Sequence, residues 1–177
     1  MKGLIHIYCG DGKGKTSAAI GQAVRSAGAG LSVVVVRFLK DEDSGELRSL
    51  SHIPGIFLIP CKDCFGFYWD MDEEQKKEAA KVYGALFEEA WEAAEKQAQA
   101  RDTVLVMDEI IAACRHGFVE KEKLLEKLQE KPERMEVLMT GRDPEEELLN
   151  LADYVSEIKK VKHPFDKGIC ARKGIEY

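Results

Sequence analysis

Residues 8 to 16 read Tyr8-Cys9-Gly10-Asp11-Gly12-Lys13-Gly14-Lys15-Thr16, and this stretch decides the fold. It follows a short apolar run over residues 4–8 and precedes a stretch dotted with Ala18, Ala19, Ala23 and Ala27. Glycines placed between a strand and a helix let backbone N–H groups turn inward around an anion, and the helix N-terminus adds its positive dipole end. Lys15 then reaches phosphate oxygens, and the hydroxyl of Thr16 suits a magnesium ion. Gly10, Asp11, Gly12, Lys13, Gly14, Lys15, Thr16 and the adjoining Ser17 are therefore the candidate nucleotide-binding set. Cys9 stands where the G-x-x-x-x-G-K-[ST] pattern has its first glycine, and the loop glycine comes one residue later, at Gly10.

Working outward, the order strand, loop, helix repeats. The spacing predicts a first helix over residues 15–27, stopped by Gly28-Ala29-Gly30. The run Ser32-Val33-Val34-Val35-Val36-Arg37-Phe38 is continuously β-branched, as in a parallel strand buried on both faces. Lys40 to Gly45 reads as a charged loop at that strand's C-terminal end, where ligands bind in open α/β sheets. Beyond it the sequence predicts a short helical piece through Ser51, a strand over 55–60, and an irregular segment over 61–69 that holds Phe65, Phe67, Tyr68 and Trp69. A long amphipathic helix follows over 72–100, with Ala79, Tyr83, Leu86, Ala90 and Ala94 on one face. Further strands are expected over 103–107, 136–139 and 154–161, with a helix over 119–130 between the first two. Asp143, with Pro144 and Glu146 after it, predicts a capped helix start. Residues 162–177 show no helical period. This alternation gives an α/β, RecA-like P-loop fold, with a mostly parallel six-stranded sheet flanked by helices on both faces.

Composition bounds the rest. A chain of 177 residues is long enough to bury one substantial core, and we take residues 1–177 as one domain. A net charge of −6, with both signs interspersed, does not suggest a duplex-binding surface that depends on counterion release, although a local basic patch is compatible with it. No apolar run approaches the roughly 18 residues of a membrane span, and no signal-peptide pattern opens the chain, so a soluble cytoplasmic protein is expected. Five cysteines, an odd number, fit reduced thiols better than a disulfide framework. Cys61 and Cys64 form the one close pair, but a zinc site wants two more soft ligands at matching spacing.

Val104-Leu105-Val106-Met107-Asp108-Glu109 sets an apolar strand directly before two carboxylates, in the manner of a Walker B segment. Asp108, Glu109 and Thr16 are the candidate magnesium ligands. Glu109 also fits the residue that orients an attacking water in a hydrolase, and the sequence leaves both roles open. Arg142 lies just past a predicted strand, where a guanidinium would stabilise phosphate charge. Lys15, Arg142 and Glu109 are the candidate catalytic residues. No Asn-Lys-x-Asp or Thr-Lys-x-Asp stretch reads guanine, which leaves ATP as the expected nucleotide.

Taken in order, these motifs resemble the P-loop ATP:cob(I)alamin adenosyltransferases, also called corrinoid adenosyltransferases. The resemblance runs through Gly10 to Thr16, Gly66-Phe67-Tyr68-Trp69, Met107-Asp108-Glu109, Thr140-Gly141-Arg142 and Leu151 to Glu157. It continues from Lys162-His163-Pro164-Phe165-Asp166-Lys167-Gly168 to Gly174-Ile175-Glu176-Tyr177. It implies transfer of the 5′-deoxyadenosyl group of ATP to the cobalt of a reduced corrinoid, with triphosphate released. Cobalt(I) is itself the nucleophile, so the protein must align the reactants and stabilise the leaving group.

The resemblance also implies a nucleotide reversed relative to the common P-loop hydrolases, a placement that Cys9 fits. Phe67 and Trp69 are implied to fill the space below the corrin and keep cobalt four-coordinate; an aromatic plug against the core is the structural alternative. It further implies a homodimer and an external electron donor such as a reduced flavoprotein. Longer relatives have an extension before the first strand that folds over the site, so cover here is expected from a partner or another segment. Asp11, where many relatives have Asn, needs Lys13, magnesium or an outward rotamer to offset its charge. Two other readings of the residues stand beside this one. One is a P-loop ATPase or phosphotransferase in which Glu109 activates water or a hydroxyl; the other is a non-catalytic ATP-gated corrinoid carrier.

Overall fold

The computed structural model describes residues 1–40, 44–61, 63, 65–66 and 68–176. Part of the charged loop (Asp41, Glu42 and Asp43), Cys64 of the cysteine pair, Phe67 and Tyr177 lie outside the described residues. In chain order the elements are β1 (Ile5–Cys9), α1 (Lys15–Gly28), β2 (Ser32–Arg37), α2 (Gly45–Leu50), β3 (Ile56–Ile59), α3 (Glu73–Ala100), β4 (Thr103–Asp108), α4 (Ile110–Arg115), α5 (Lys121–Glu130), β5 (Met135–Thr140), α6 (Glu146–Leu151) and β6 (Tyr154–Glu157). Single 3-10 turns occupy Tyr68–Asp70 and Pro164–Lys167.

The strands form one sheet in the order β3-β2-β4-β5-β1-β6, and every neighbouring pair is parallel. Side chains alternate faces along a strand, and here both faces are covered. Val34, Val36, Leu105 and Met107 join β1 and α3 in the larger core cluster, while Val33, Val35, Val104 and Val106 meet Ala19 and Ala23 of α1 on the other face. This two-sided burial explains the unbroken β-branched run of β2. Alanines on α1 bring that helix close to the sheet.

Helix α3 buries the predicted stripe and adds Phe87, Trp91 and Ala98 to it. Each large apolar side chain so buried contributes about 1.5–3 kcal/mol. Its start is fixed by a capping box, in which Asp72 accepts from the Gln75 amide at 2.8 Å and Gln75 accepts in return from the Asp72 amide at 2.9 Å.

Three details depart from the sequence reading. Asp143 does not cap a helix. It sits at φ 46°, and the Arg115 guanidinium donates to the carbonyls of Arg142 and Asp143, so α6 begins only at Glu146. Strand β6 ends at Glu157, because the chain there turns across the loop after β1 instead of continuing the ladder. Helix α4 follows Glu109 directly, where no helix was expected. Among the described residues, no helix is long and apolar enough to cross a membrane.

Candidate functional site

The loop after β1 sits at the carboxyl edge of the sheet, where ligands bind in open α/β folds. Cys9 closes β1 with its side chain in the core, and burial raises its thiol pKa. Packing therefore accounts for Cys9 at the position where the pattern has glycine. Gly10 takes φ 104°, and a Cβ there would lie 2.4 Å from the Ile158 carbonyl oxygen. Gly12 has no room for a Cβ either, and its amide donates to the same oxygen at 2.8 Å. The segment after β6 thus braces the loop from outside, and the Gly12 amide faces this brace.

Gly14 takes φ 126° and leads into α1, whose first amides have no partner within the helix. Asp11 resolves the charge conflict by turning outward. Its carboxylate accepts from the Lys160 amide at 2.9 Å, and that bond chiefly holds its pKa below the ordinary value. Lys13 and Ser17 are exposed beside it on the same loop and helix start. Lys15 is 8% exposed and donates to the Gly12 carbonyl at 3.0 Å. Burial lowers its pKa.

The P-loop strand β1 and the acidic strand β4 are separated by β5, and the end of β5 joins them chemically. Asp108 is fully buried. Its carboxylate accepts from Thr16 Oγ1 at 3.0 Å, from Thr140 Oγ1 at 2.6 Å and from Lys40 Nζ at 2.5 Å. Lys40 also donates to Thr16 Oγ1 at 2.8 Å. The Thr140 hydroxyl in turn accepts from the Glu109 amide at 2.8 Å, which holds Glu109 at φ 62° as the residue entering α4. Burial, then the neighbouring Asp108, raises the Glu109 pKa, while Lys40, Lys15 and Arg142 oppose that rise.

Arg142 is exposed at the mouth of the site, and its charge also acts on Lys15 and Asp11. Gly141 before it is pinned against α4, since a Cβ would lie 2.5 Å from that of Ile111. Leu39, Glu109 and Asp143, the non-glycine residues with positive φ among the described residues, all follow strand ends at this edge. Such left-handed backbone clusters at functional sites.

Beside Thr16 opens a cavity of about 770 Å³. Ser17, Arg37, Lys40, Glu46 and Glu176 lie on its walls. Arg37 is buried, with Nη2 3.9 Å from Glu46, and its Nε and Nη1 find no hydrogen-bond partner among the described residues. The aromatic segment divides in two. Phe65 and Tyr68 pack against the core, Tyr68 stacking on His116 at 4.0 Å, whereas Trp69 is 74% exposed. Trp69 therefore does not plug the core.

The donor set at Asp108 suits a hard divalent cation. It consists of a buried carboxylate and a hydroxyl, and a positive charge is already seated between them. Lys40 and Thr140 are the site residues that the sequence reading did not single out. Their common signal is position, since each follows or ends a strand at the carboxyl edge.

A glycine-braced phosphate loop opening a helix, with a buried Asp two strands away, defines a P-loop nucleotide-binding protein. The fold agrees: the EssC ATPases 2 and 3 from Geobacillus thermodenitrificans superpose with a TM-score of 0.51 at 15% identity, covering 98% of this chain and 35% of that one. The sequence narrows the class further. The family model "ATP:corrinoid adenosyltransferase BtuR/CobO/CobP" matches residues 1–177. Corrinoid adenosyltransferases of Escherichia coli K12 and Pseudomonas aeruginosa are each 34% identical over 99% of this chain, covering 86% and 84% of their own lengths. The corrinoid adenosyltransferase CobA of Salmonella typhimurium is 33% identical over 99% of this chain and 86% of its own. The chain belongs to the ATP:corrinoid adenosyltransferase family, whose substrates are ATP and a corrinoid.

Proposed function

We propose that this chain, acting as a single domain, transfers the 5′-deoxyadenosyl group of ATP to cobalt(I) of a cobalamin- or cobinamide-type corrinoid and releases triphosphate. The observation that carries this reading is the joining of Lys15, Thr16, Asp108, Glu109 and Arg142 at one edge of the sheet. Reduced cobalt brings its own electron pair to C5′ and forms the Co–C bond, the C5′–O bond breaks, and the electron pair of that C–O bond leaves on the triphosphate. No protein base is required. The chain's tasks are to hold the triphosphate on the first amides of α1, to neutralise its growing charge with Lys15 and Arg142, and to align C5′ with the metal of the corrin.

Thr16 and Asp108 would hold magnesium, with Glu109 beside them, and the ion would supply further positive charge at the phosphates. The raised pKa of Glu109 and its tether to Thr140 fit a residue that shapes this site. The large cavity beside Thr16 is of a size for the non-phosphate part of a substrate. Trp69 is largely exposed to solvent, and it would lie against the corrin together with Phe67, two residues before it. The nucleotide would lie reversed along the loop, an external donor such as a reduced flavoprotein would supply electrons, and the working species would be a homodimer.

One anaerobic assay tests the reading. Protein, Mg-ATP and chemically reduced cobalamin should give light-sensitive adenosylcobalamin and triphosphate. ADP and orthophosphate without alkylated cobalt would instead establish the hydrolytic or phosphotransfer reading through Glu109, and binding of both ligands without turnover would establish a carrier.

A further inference from the structure

Lys40 occupies a position that neither its sequence context nor the transfer chemistry accounts for. It comes three residues after β2, at the mouth of the cavity, yet its Nζ reaches inward to Asp108 Oδ2 at 2.5 Å and Thr16 Oγ1 at 2.8 Å. These two oxygens are those assigned above to magnesium. The Asp108 side chain is fully buried and that of Lys40 is partly exposed, so the pair is enclosed at its acidic end and open to solvent at the other. A buried carboxylate without a counter-charge is strongly unfavourable. One cation must therefore balance Asp108 at every stage, and two cations crowded on the same oxygens repel.

We infer that Lys40 is an exchangeable internal cation, which holds the Thr16–Asp108 pair until metal and triphosphate arrive together and then transfers its ammonium to the phosphates. The inference rests on the magnesium reading of Thr16 and Asp108. Metal alone competes with Lys40 and gains little. Metal accompanied by a polyanion offers the displaced ammonium a new partner within reach of its flexible stem, so the two ligands bind interdependently. Leu39, at φ 58° immediately before it, sets the backbone turn that directs Lys40 back over the sheet edge. Lys40 is thus a positioning residue in the free protein and a phosphate contact in the loaded one.

The test uses Mn²⁺ as a paramagnetic stand-in, titrated into nucleotide-free protein and followed by the resonance of the free ion. Inorganic triphosphate without divalent metal is titrated separately by calorimetry. Lys40→Met should bind Mn²⁺ alone about 10-fold more tightly than the parent and triphosphate about 10-fold more weakly, within the usual range of coupling between sites. Lys40→Arg keeps the charge and should retain weak Mn²⁺ binding, which guards against a misfolded methionine variant. Asp108→Asn should abolish Mn²⁺ binding to the nucleotide-free protein. If Asp108→Asn leaves Mn²⁺ affinity untouched, the metal reading fails and the exchange with it. If Asp108→Asn removes the ion but Lys40→Met binds Mn²⁺ no better than the parent, the exchange alone is overturned.

Discussion

Lys15 shows how a residue's surroundings prepare it for one task. It is desolvated and held on the Gly12 carbonyl, so in the proposed reaction it would need little reorganisation to meet charge building up on the leaving group. Lys15→Ala should lower the rate of adenosyl transfer by about 10²–10³-fold, the usual cost of losing one such contact, measured anaerobically with preformed cobalt(I). Trp69 lies at the opposite extreme. Its exposure means Trp69→Ala should change unfolding free energy by no more than about 0.5 kcal/mol. It should slow transfer that starts from cobalt(II) far more than transfer from cobalt(I), and an equal loss in both assays would remove Trp69 from the corrin face. Among the thiols, burial pushes Cys114 up to about 12, whereas Cys170 is exposed. The reactive form is the thiolate. At pH 8 iodoacetamide should therefore label Cys170 rapidly and Cys114 only after unfolding, as peptide mass spectrometry would show.

At the scale of elements, the end of β5 is the joint of the site. Thr140 donates a hydrogen bond to Asp108 and accepts one from the Glu109 amide, so one hydroxyl holds both acidic residues. Thr140→Val preserves shape and removes both bonds, leaving the Glu109 amide unpaired and Asp108 with only Thr16 and Lys40 as donors among the described residues. The expected cost is about 1–3 kcal/mol of stability in urea denaturation, accompanied by weakened metal binding. The sequence announced some elements clearly and others not at all. The valine run of β2 was legible because burial on both faces leaves a contiguous apolar stretch, and α3 because a 28-residue helix displays its period many times. Helix α4 has only six residues and begins from a left-handed glutamate without a capping side chain, so no local signal precedes it. The failed cap at Asp143 has a long-range cause, the Arg115 guanidinium 28 residues away. In the sequence Lys40 looks like any residue of a charged loop, because its partner Asp108 lies 68 residues further along the chain.

On the scale of the whole molecule, β6 is an edge strand with all four residues exposed, including Tyr154 and Val155. An open edge with apolar side chains is a template for association. The proposed homodimer should sediment at about twice the 19.8 kDa chain mass, and a species at the monomer mass at working concentrations would remove it. Most of the α/β architecture followed from periodicity. The loop and the two acids followed from motifs, whereas their bridging through Thr140 and Lys40 depended on the order of strands in the sheet, which periodicity does not record.

The brace between the phosphate loop and the segment after β6 bears on how the chain tolerates cutting. The Ile158 carbonyl accepts from the Gly12 amide and the Lys160 amide donates to the Asp11 carboxylate, so substituting the Ile158 or Lys160 side chain leaves both bonds in place. A protease nick or a premature stop at this point would instead slacken the nucleotide loop nearly 150 residues upstream. Residues 158–160 thus form a hinge pin for the opposite end of the chain, and the shortest fragment able to grip ATP has to extend past them.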